Sequence, residues 1–406
     1  MSGAGGGPQA LGGLRVLELG QLIAGPFAGA ILAGFGADVI KIEDPRTGDP
    51  LRSWRMLHQG TSLWWRVMGR NKRSVALDLR SAEGRALVRR LIVEGGVDVV
   101  IENFRPGRME AWGLGYEALR AENPRLVMAR ISGYGQDGPR AREPGFANIA
   151  EAYAGLRYLT GEPGRPPVRS GVSLGDTIAG LHAAIGILAA LRHRDAQGAG
   201  QVVDVALTES VFNLMESLLP EYEVFGHVRE RSGAKLEGVV PTGTYPCADG
   251  RFVAIGANSD GMFVRLMRAI GRDDLAEETC LQGNAGRVAH EGRIDAAIEG
   301  FTSARPLDEV LERLRAAEIA AGPIQSAAEI AHDPQFLARG VLEAATLADG
   351  TRLRIPAVLP RLVDTPGETR WLGPELGAHT EEVLREVLGI EAAEVERLRA
   401  AGVLGG

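Results

Sequence analysis

The amino-acid sequence predicts an α/β fold in which crossover helices join the strands of a parallel sheet. Over the first two hundred residues, short apolar runs typical of strands alternate with helical patterns, as in consecutive βαβ units. Gly-rich segments follow several of these runs, which is typical of sheets that bind ligands where their strands end. In chain order, the predicted elements are the strand 14–19, the helix 27–35, the strand 39–43, the strand 75–79, the helix 82–94, the strands 97–102 and 126–131, the helix that starts at Asp176, the strand 202–205 and the helix 208–219.

The pattern changes after Pro220, and this change predicts a second domain. Short strands at 243–246 and 251–255 are punctuated by Gly and Pro, and this pattern lasts to the Gly322-Pro323 break. β-type runs return after Asp333-Pro334. We therefore expect a disordered tail at 1–10, a large domain at 11–222, a small domain at 223–325 and a C-terminal segment at 326–406 that rejoins the large domain.

The composition of the 406 residues disfavours several classes of protein. A net charge of -7 argues against a nucleic-acid binder. The two cysteines, Cys247 and Cys280, are far apart in sequence, which favours free thiols in a reducing cytoplasm. The seven histidines do not have the spacing of a metal site, so no metal is expected. The uncharged run 20–37 contains five glycines and Pro26, and we interpret it as buried core rather than a membrane span.

Asp176 is the residue most indicative of chemistry, because it stands where an extended segment gives way to a long helix. The helix is predicted from apolar residues spaced by threes and fours, namely Ile178, Leu181, Ile185, Leu188 and Leu191. A helix start concentrates unpaired N–H groups and the positive end of the dipole, so a carboxylate there stays ionised and could act as a nucleophile. The alternative is an ordinary N-cap, since Asp is a favoured capping residue.

Loops beside the predicted sheet carry glycines and basic residues. The segment Gly20–Pro26 follows the first strand but lacks the signature of a phosphate loop or a dinucleotide site, so it is equally consistent with a plain turn. Basic side chains occur in Asn71-Lys72-Arg73, in Asn103–Arg108 and at Arg46. Such side chains would suit a polyphosphorylated ligand, although solvated charged loops are the alternative.

Several long stretches, in this order along the chain, resemble family III CoA-transferases, which include formyl-CoA:oxalate and carnitine CoA-transferases. The resemblance is strongest up to about residue 220 and continues more weakly to the end. It is closest to the branch that moves CoA between dicarboxylates such as succinyl-CoA, citramalate, glutarate and mesaconyl-CoA. The stretches are 14–43 (LRVLELGQLIAGPFAGAILAGFGADVIKIE), 71–79 (NKRSVALDL), 97–107 (VDVVIENFRPG), 132–139 (SGYGQDGP), 175–191 and 198–209 (GAGQVVDVALTE).

The resemblance implies that Asp176 is a nucleophile that attacks the thioester of a donor acyl-CoA. An aspartyl anhydride and an aspartyl-CoA thioester would follow, and a free carboxylic acid would then accept the CoA. The resemblance also implies an interlocked homodimer whose subunits each have a large Rossmann-like domain and a smaller α+β domain. Coenzyme A enters as part of the substrate, and no permanently bound cofactor is implied. The implied CoA-binding residues are Ile23, Ala24, Arg46, Asn71, Lys72, Arg73, Asn103, Phe104, Arg105, Arg108, Ser132, Gly133 and Tyr134, with Arg130 at the start of the last turn.

Two departures from related enzymes bear on the substrate. The glycine run that covers the acyl site of formyl-CoA transferases corresponds to Gly256-Ala257-Asn258-Ser259, which makes oxalate a poor candidate and Asn258 a candidate substrate contact. Related acyl-CoA racemases place a histidine base where this chain has Phe146, which cannot move a proton.

Arg169, with Arg52 second, is our candidate partner for the distal carboxylate of a dicarboxylate substrate. Two other functions stay open from the sequence: an isomerase (racemase) of 2-methylacyl-CoA and a CoA-binding protein without catalysis. We expect no nucleic-acid or membrane partner.

Overall fold

A computed structural model describes residues 9–405 of the chain. Most of the tail expected at 1–10 lies outside these residues; within them, the Gln9 side chain donates a hydrogen bond to Glu368. The chain divides into two compact units. Within the described residues, the first comprises 9–156, 170–217 and 338–405, and the second comprises 157–169 and 218–337. These limits differ from the expected domain boundaries in two main segments, 157–169 and 326–337, which both belong to the second unit. The C-terminal segment therefore rejoins the first unit only from residue 338, and not from 326 as expected.

A six-stranded parallel sheet forms the centre of the first unit, as the sequence predicted. Numbered along the chain, its strands lie in the order β3-β2-β1-β4-β5-β6, which is the order of a doubly wound dinucleotide-binding fold. The strands are β1 (Arg15–Glu18), β2 (Asp38–Glu43), β3 (Lys72–Ala76), β4 (Val99–Glu102), β5 (Val127–Ser132) and β6 (Val202–Ala206).

Apolar residues pack on both faces of the sheet, as in other parallel sheets buried by crossover helices. Adjacent residues of one strand face opposite layers: Leu17 joins the layer that contains helix 82–93, and Val16 joins the layer that contains helix 24–34. The run 20–37 is therefore buried core, as expected. The helices of the first unit are Ala24–Gly34, Leu63–Met68, Ala82–Val93, Arg108–Ala111, Tyr116–Arg120, Ala147–Tyr153, Leu174–Gln197, Leu207–Phe212, Thr380–Leu388 and Ala392–Ala400, with a 3-10 turn at Pro50–Ser53.

The C-terminal segment completes the first unit. Its strands Leu342–Thr346 and Arg352–Pro356 form a hairpin, and its helix Thr380–Leu388 packs beside β3. His379 at the start of that helix accepts a hydrogen bond on Nδ1 from the Ser74 N–H of β3, at 3.2 Å. A second short ribbon pairs Leu57–His58 with Thr61–Ser62.

The second unit has its own core, built on a three-stranded antiparallel sheet. The strands lie in the order Ala320–Pro323, Phe252–Gly256, Thr242–Pro246. Helices pack against one face of this sheet and bury residues such as Phe263, Ile298 and Leu314. They are Asp260–Ala269, Asp273–Glu277, Asn284–Ala289, Glu291–Thr302 and Leu307–Ala316, and shorter helices are Leu218–Phe225, Ala327–Ile330, Pro334–Ala338 and, at the junction of the units, Leu156–Leu159, with a 3-10 turn at Thr279–Leu281.

The single helix expected at 208–219 is wrong. The chain leaves the helix after Phe212, and Glu216 adopts a left-handed conformation with φ +51°. A new helix begins at Leu218 and holds Pro220 in its first turn, where the missing N–H of proline has no intrahelical partner to lose.

The helix Leu174–Gln197 is long and apolar enough to cross a membrane, but half of its most apolar stretch is buried inside the protein. Its buried face, with Ala179, Ala183 and Ile187, packs on the sheet and on helix Ala24–Gly34. Packing in the core therefore accounts for the apolar residues on this buried face of the helix.

Candidate active site at the carboxyl edge of the sheet

The strand order places a crevice between β1 and β4. The chain winds away from this point in opposite directions, and open α/β sheets bind ligands beyond the carboxyl ends of the two strands that meet there. The loop Leu19–Ile23 follows β1 and the segment Asn103–Gly107 follows β4. The helix Ala24–Gly34 also begins at this edge.

The loop after β1 is held on both sides by side chains. Asn103 accepts a hydrogen bond from the Gln21 N–H at 2.7 Å and donates one to the Gln21 carbonyl at 2.8 Å. Leu22 has a left-handed backbone with φ +64°, which is uncommon for a bulky residue. Its N–H donates to the carboxylate of Asp49, at 3.1 Å and 3.2 Å from the two oxygens.

A buried ionic cluster supports this loop from below. Lys41 lies 3.2 Å from Glu18 and 2.9 Å from Asp49, and it also donates to the Gly20 carbonyl. Lys72 lies 2.7 Å from the other oxygen of Glu18 and donates to the Pro26 carbonyl at 2.7 Å. Burial opposes the charge on Lys41, yet the carboxylates of Asp49, Glu18 and Glu43 together raise its pKa. Burial lowers the pKa of Lys72, and Glu18 offsets only part of this effect.

Arg52 is one of the two arginines expected to bind a substrate carboxylate. In the structure, its guanidinium already binds groups of the protein itself. Its guanidinium donates to both oxygens of Glu43 at 2.7 Å and 2.8 Å, and to the Pro374 carbonyl at 3.0 Å. The ring of Trp65 lies 3.9 Å from the guanidinium carbon. These contacts describe a structural arginine that braces the turn 44–52.

Asp176 lies in the first turn of the helix Leu174–Gln197, with Ser173 at the N-cap position. Because the next strand is β6, this helix starts at the carboxyl edge of the sheet. One turn further on, a side chain at Gly180 would lie 2.8 Å from the Ala24 carbonyl oxygen, so this helix closely approaches the start of the helix Ala24–Gly34. Asp176 is partly buried, and the dipole of the helix favours its ionised form.

A second carboxylate, which sequence reasoning missed, lies beside Asp176. Glu151 on the helix Ala147–Tyr153 is buried and accepts a hydrogen bond from the Gly175 N–H at 3.2 Å. Gly175 itself packs against Ala147 and Val211. The contact joins the helix Ala147–Tyr153 to the residue that precedes Asp176.

Three of the expected CoA-binding residues lie at the opposite edge, where β3 begins. Asn71 donates to the carbonyls of Ala33 and Glu368, and its side-chain oxygen accepts from the N–H groups of Arg370 and Trp371. Lys72 and Arg73 are the first residues of β3 rather than loop residues. Arg73 pairs with Asp38, Glu382 and Glu386. The structure therefore keeps Asn71 and Arg73 away from the crevice, whereas the ammonium of Lys72 reaches the buried ionic cluster beneath the loop after β1.

The other expected cationic residues lie at the carboxyl edge. Two of them form ion pairs with carboxylates of the protein. Arg46 forms a surface pair with Asp44 at 2.7 Å. Arg130 is buried and contacts Glu102 at 2.8 Å and Glu110 at 2.7 Å. Hydrogen bonding to Arg130 lowers the pKa of Glu110, whereas burial raises the pKa of Glu102 despite the same arginine.

Arg105 and Arg108 are exposed and have no ion pair among residues 9–405. Both follow β4, and the guanidinium carbon of Arg108 lies 5.4 Å from the centre of the Trp112 ring. The ring of Phe104 meets Trp112 edge to face, with centroids 5.1 Å apart. These two arginines are the cations best able to meet an anionic ligand at the crevice.

The turn after β5 opens onto a cavity of about 620 Å³. Ser132 accepts a hydrogen bond from the Gly135 N–H, and Gly133 approaches the backbone of Gly145 so closely that a side chain there would overlap it. Tyr134 packs edge to face on Tyr153, with ring centroids 5.4 Å apart. The cavity is lined mainly by Tyr134, Arg140, Tyr153, Thr208, Glu209 and Phe212.

Comparison with known proteins connects this edge to a reaction. The sequence profile of CoA-transferase family III matches residues 11–380. The chain belongs to CoA-transferase family III. It is 45% identical over 398 residues to the succinyl-CoA–D-citramalate CoA-transferase of Chloroflexus aurantiacus, with 98% of each chain covered. It is 36% identical to the succinate–glutarate CoA-transferase of Agrobacterium fabrum, over 94% of this chain and 96% of the relative.

A solved structure extends the likeness to the fold. A CaiB/BaiF family protein from Brucella suis has 35% sequence identity and a TM-score of 0.81, covering 93% of this chain and 99% of that one. The predicted family and its enzyme class are thus confirmed. As a CoA-transferase, the protein acts on CoA thioesters and free acids.

Two expected substrate contacts of this CoA-transferase lie in the second unit. Arg169 is exposed, and Asn258 is exposed with its amide 3.5 Å from the Thr242 hydroxyl. The guanidinium of buried Arg287 donates a hydrogen bond to the Asn258 carbonyl at 2.7 Å and thereby fixes the backbone of that turn. Among residues 9–405, no group of three His, Cys, Asp or Glu side chains could hold a metal ion.

Proposed function

We propose that this CoA-transferase moves CoA from a dicarboxylyl-CoA such as succinyl-CoA to a free carboxylic acid, with Asp176 as the covalent nucleophile. The proposal is carried by the position of Asp176 in the first turn of a helix that starts at the carboxyl edge of the sheet. One turn later, Gly180 of this helix approaches Ala24, which begins the helix after the crevice loop. The activities named for the citramalate and glutarate relatives support the choice of succinyl-CoA.

The proposed reaction proceeds in four balanced transfers. The Asp176 carboxylate attacks the thioester carbonyl and releases CoA thiolate, which leaves a mixed anhydride. The thiolate then attacks the aspartyl carbonyl, releasing the donor acid and forming an aspartyl-CoA thioester. The acceptor carboxylate displaces CoA thiolate from this thioester to give a second anhydride. Attack of the thiolate on the acceptor carbonyl yields the new acyl-CoA and restores Asp176, so no proton or water is consumed.

Exclusion of water is essential to this scheme, because either anhydride would be lost by hydrolysis. Partial burial of Asp176 in a tightly packed helix start is consistent with that need. Of the expected CoA contacts, we retain Ile23, Ala24, Phe104, Arg105, Arg108 and the Ser132–Tyr134 turn as direct contacts, together with exposed Arg46. The internal contacts of Asn71, Lys72, Arg73 and Arg52 favour structural roles.

Arg169 and Asn258 stay our candidates for the substrate carboxylate. An Arg169→Ala variant should lose activity with dicarboxylate acceptors much more than with monocarboxylates. Equal losses with both classes would remove Arg169 from the site.

We also propose that the enzyme is a cytoplasmic, interlocked homodimer that uses CoA only as part of its substrates. The dimer is supported by large apolar side chains that the single chain leaves exposed, including Phe146, Ile149, Tyr153 and Phe212. A racemase is not proposed, because exposed Phe146 stands where related racemases have their histidine base.

The test is an acceptor screen with succinyl-CoA against mono- and dicarboxylic acids, read by mass spectrometry, combined with trapping of the acyl-enzyme by hydroxylamine. We expect new acyl-CoA products and a hydroxamate on Asp176. Asp176→Asn should lower kcat by about 10⁶-fold, the order found when a covalent nucleophile is removed, without a change in Tm. Full activity of this variant would refute the assignment. Deuterium uptake from solvent at the α-carbon without any acceptor acid would instead indicate an isomerase.

A further inference from the structure

The loop after β1 combines a strained backbone with unusually complete support. Each of three consecutive residues is fixed by a side chain from another strand end or turn: Gly20 by Lys41, Gln21 by Asn103 and Leu22 by Asp49. The left-handed conformation of Leu22 carries a cost that the surroundings must offset.

The supporting groups are themselves buried and fixed. Asp49 is 1% exposed; besides Leu22, it accepts from the Leu51 N–H at 2.9 Å and pairs with Lys41. The Asn103 amide uses its donor and its acceptor on the backbone of one residue, Gln21. Neither side chain can therefore bind a ligand without breaking its hydrogen bonds to the loop.

The loop determines where the next helix begins. The N–H groups of Ile23, Ala24 and Gly25 have no acceptor within residues 9–405, as is usual for the first residues of a helix. They lie at the crevice between β1 and β4, where an oxygen-rich ligand would meet them.

We infer that Asn103 and Asp49 are positioning residues for CoA, which hold Gly20–Ile23 in the binding conformation before CoA arrives. This inference rests on the proposed function, and it replaces the direct contact to CoA expected for Asn103. A preformed loop loses no conformational entropy when the ligand binds, so its rigidity appears as affinity.

Asn103→Leu tests the inference, because leucine has a similar volume and neither hydrogen bond. Asn123→Leu is the matched control: Asn123 bridges the Val97 and Ile92 carbonyls at the other edge of the sheet. CoA binding is measured by calorimetry, Tm by thermal unfolding, and amide exchange by mass spectrometry of the segment 19–27. We expect Asn103→Leu to raise the Kd for CoA about tenfold and to speed exchange in 19–27. Asn123→Leu should lower Tm without changing that Kd.

Several outcomes separate the possibilities. If Asn103→Leu lowers Tm but leaves the Kd for CoA unchanged, Asn103 is only structural and the inference is overturned, while the proposed function stands. A wild-type protein that does not bind CoA overturns both. If Asn103→Leu fails to fold, the Asp49→Ala variant, which loses the acceptor of the Leu22 N–H and the ion pair with Lys41, must show the same rise in Kd or the inference fails.

Discussion

At the scale of single residues, cations at the carboxyl edge differ in whether a carboxylate already holds them. Arg130 is buried between Glu102 and Glu110, whereas Arg105 and Arg108 are exposed without ion pairs in the described part of the chain. From the sequence, all three arginines could be identified as candidate CoA-binding residues. The sequence could not show which ones are occupied, because the partners come from other strands and turns.

Replacing both Arg105 and Arg108 by alanine should weaken CoA binding. Each lost charge-assisted contact is worth about 2 kcal/mol, so loss of both should raise the Kd for CoA by about 10³-fold and make it less sensitive to salt. Calorimetry at low and high ionic strength measures both effects. Arg120→Ala serves as the control, since Arg120 is exposed and rests on Tyr116. An unchanged Kd in the double variant would place the CoA phosphates elsewhere.

Gly29 shows how one residue can protect the buried ionic cluster. A Cβ at Gly29 would overlap the Glu18 carboxylate that pairs with Lys41 and Lys72. Gly29→Ala should lower the unfolding free energy by about 3 kcal/mol or more, because breaking a buried ion pair outweighs the gain in helix propensity. Gly300→Ala, also within a helix but with open space around it, should be neutral or stabilising by up to about 1 kcal/mol. Thermal unfolding compares the two, and equal Tm values would contradict the argument.

At the scale of elements, apolar spacing predicted the helix Leu174–Gln197 but not its buried face. Leu181, Ile185 and Leu188 belong to the predicted stripe, yet they are 44%, 62% and 42% exposed. The face that packs on the sheet is made of smaller residues such as Ala179 and Ala183, which allow close approach. An apolar pattern marks every face that avoids water, including one that a second chain would cover.

Ile185→Glu tests whether this face is a subunit interface. A charge placed in an apolar interface without a partner is costly, so the variant should fail to assemble into the proposed interlocked dimer and should be recovered as a monomer. Light scattering coupled to gel filtration gives the molar mass. Val363→Glu is the control, because Val363 is 89% exposed and lies outside the helix. A dimeric Ile185→Glu variant, or a monomeric wild type, would count against this interface.

The clearest error in the predicted limits of an element concerns the third strand, and two charged residues caused it. The third strand was expected at 75–79 because Lys72 and Arg73 suggested a loop, yet it spans Lys72–Ala76. Both side chains are buried within the strand because Glu18 and Asp38 neutralise them. Such partners lie far away in sequence, so no local pattern reveals them.

At the scale of the whole molecule, local pattern predicted a parallel sheet but not its strand order. The order brings the loop after β1 beside the end of β4, more than eighty residues later, and so creates the crevice. The position of Asp176 at a helix start was predictable from sequence, whereas the approach of Gly180 to Ala24 depends on the packing of two helices. The segment 157–169 joins the second unit by long-range contacts that no local pattern predicts.

The C-terminal segment is attached to the first unit partly through His379. We expect this contact to depend on pH. His379 accepts the Ser74 N–H on Nδ1, which requires a neutral ring. Burial lowers the pKa of His379; Glu382 opposes this effect and Arg73 adds to it. The unfolded chain, with a histidine pKa of about 6.5, therefore binds a proton before the folded protein does as the pH falls. This contact therefore stabilises the folded protein fully above a pH of about 6.5, and its contribution is lost as the pH falls below that value.

His379→Asn should remove this dependence, because the asparagine oxygen can accept the same N–H at any pH. Between pH 8 and pH 5, the Tm of the wild type should fall more than that of the variant, and amide exchange in 380–388 should quicken only in the wild type. His193→Asn, at an exposed histidine, should behave as the wild type. Parallel Tm curves for wild type and His379→Asn would mean that the bond to Ser74 does not couple the C-terminal helix to protonation.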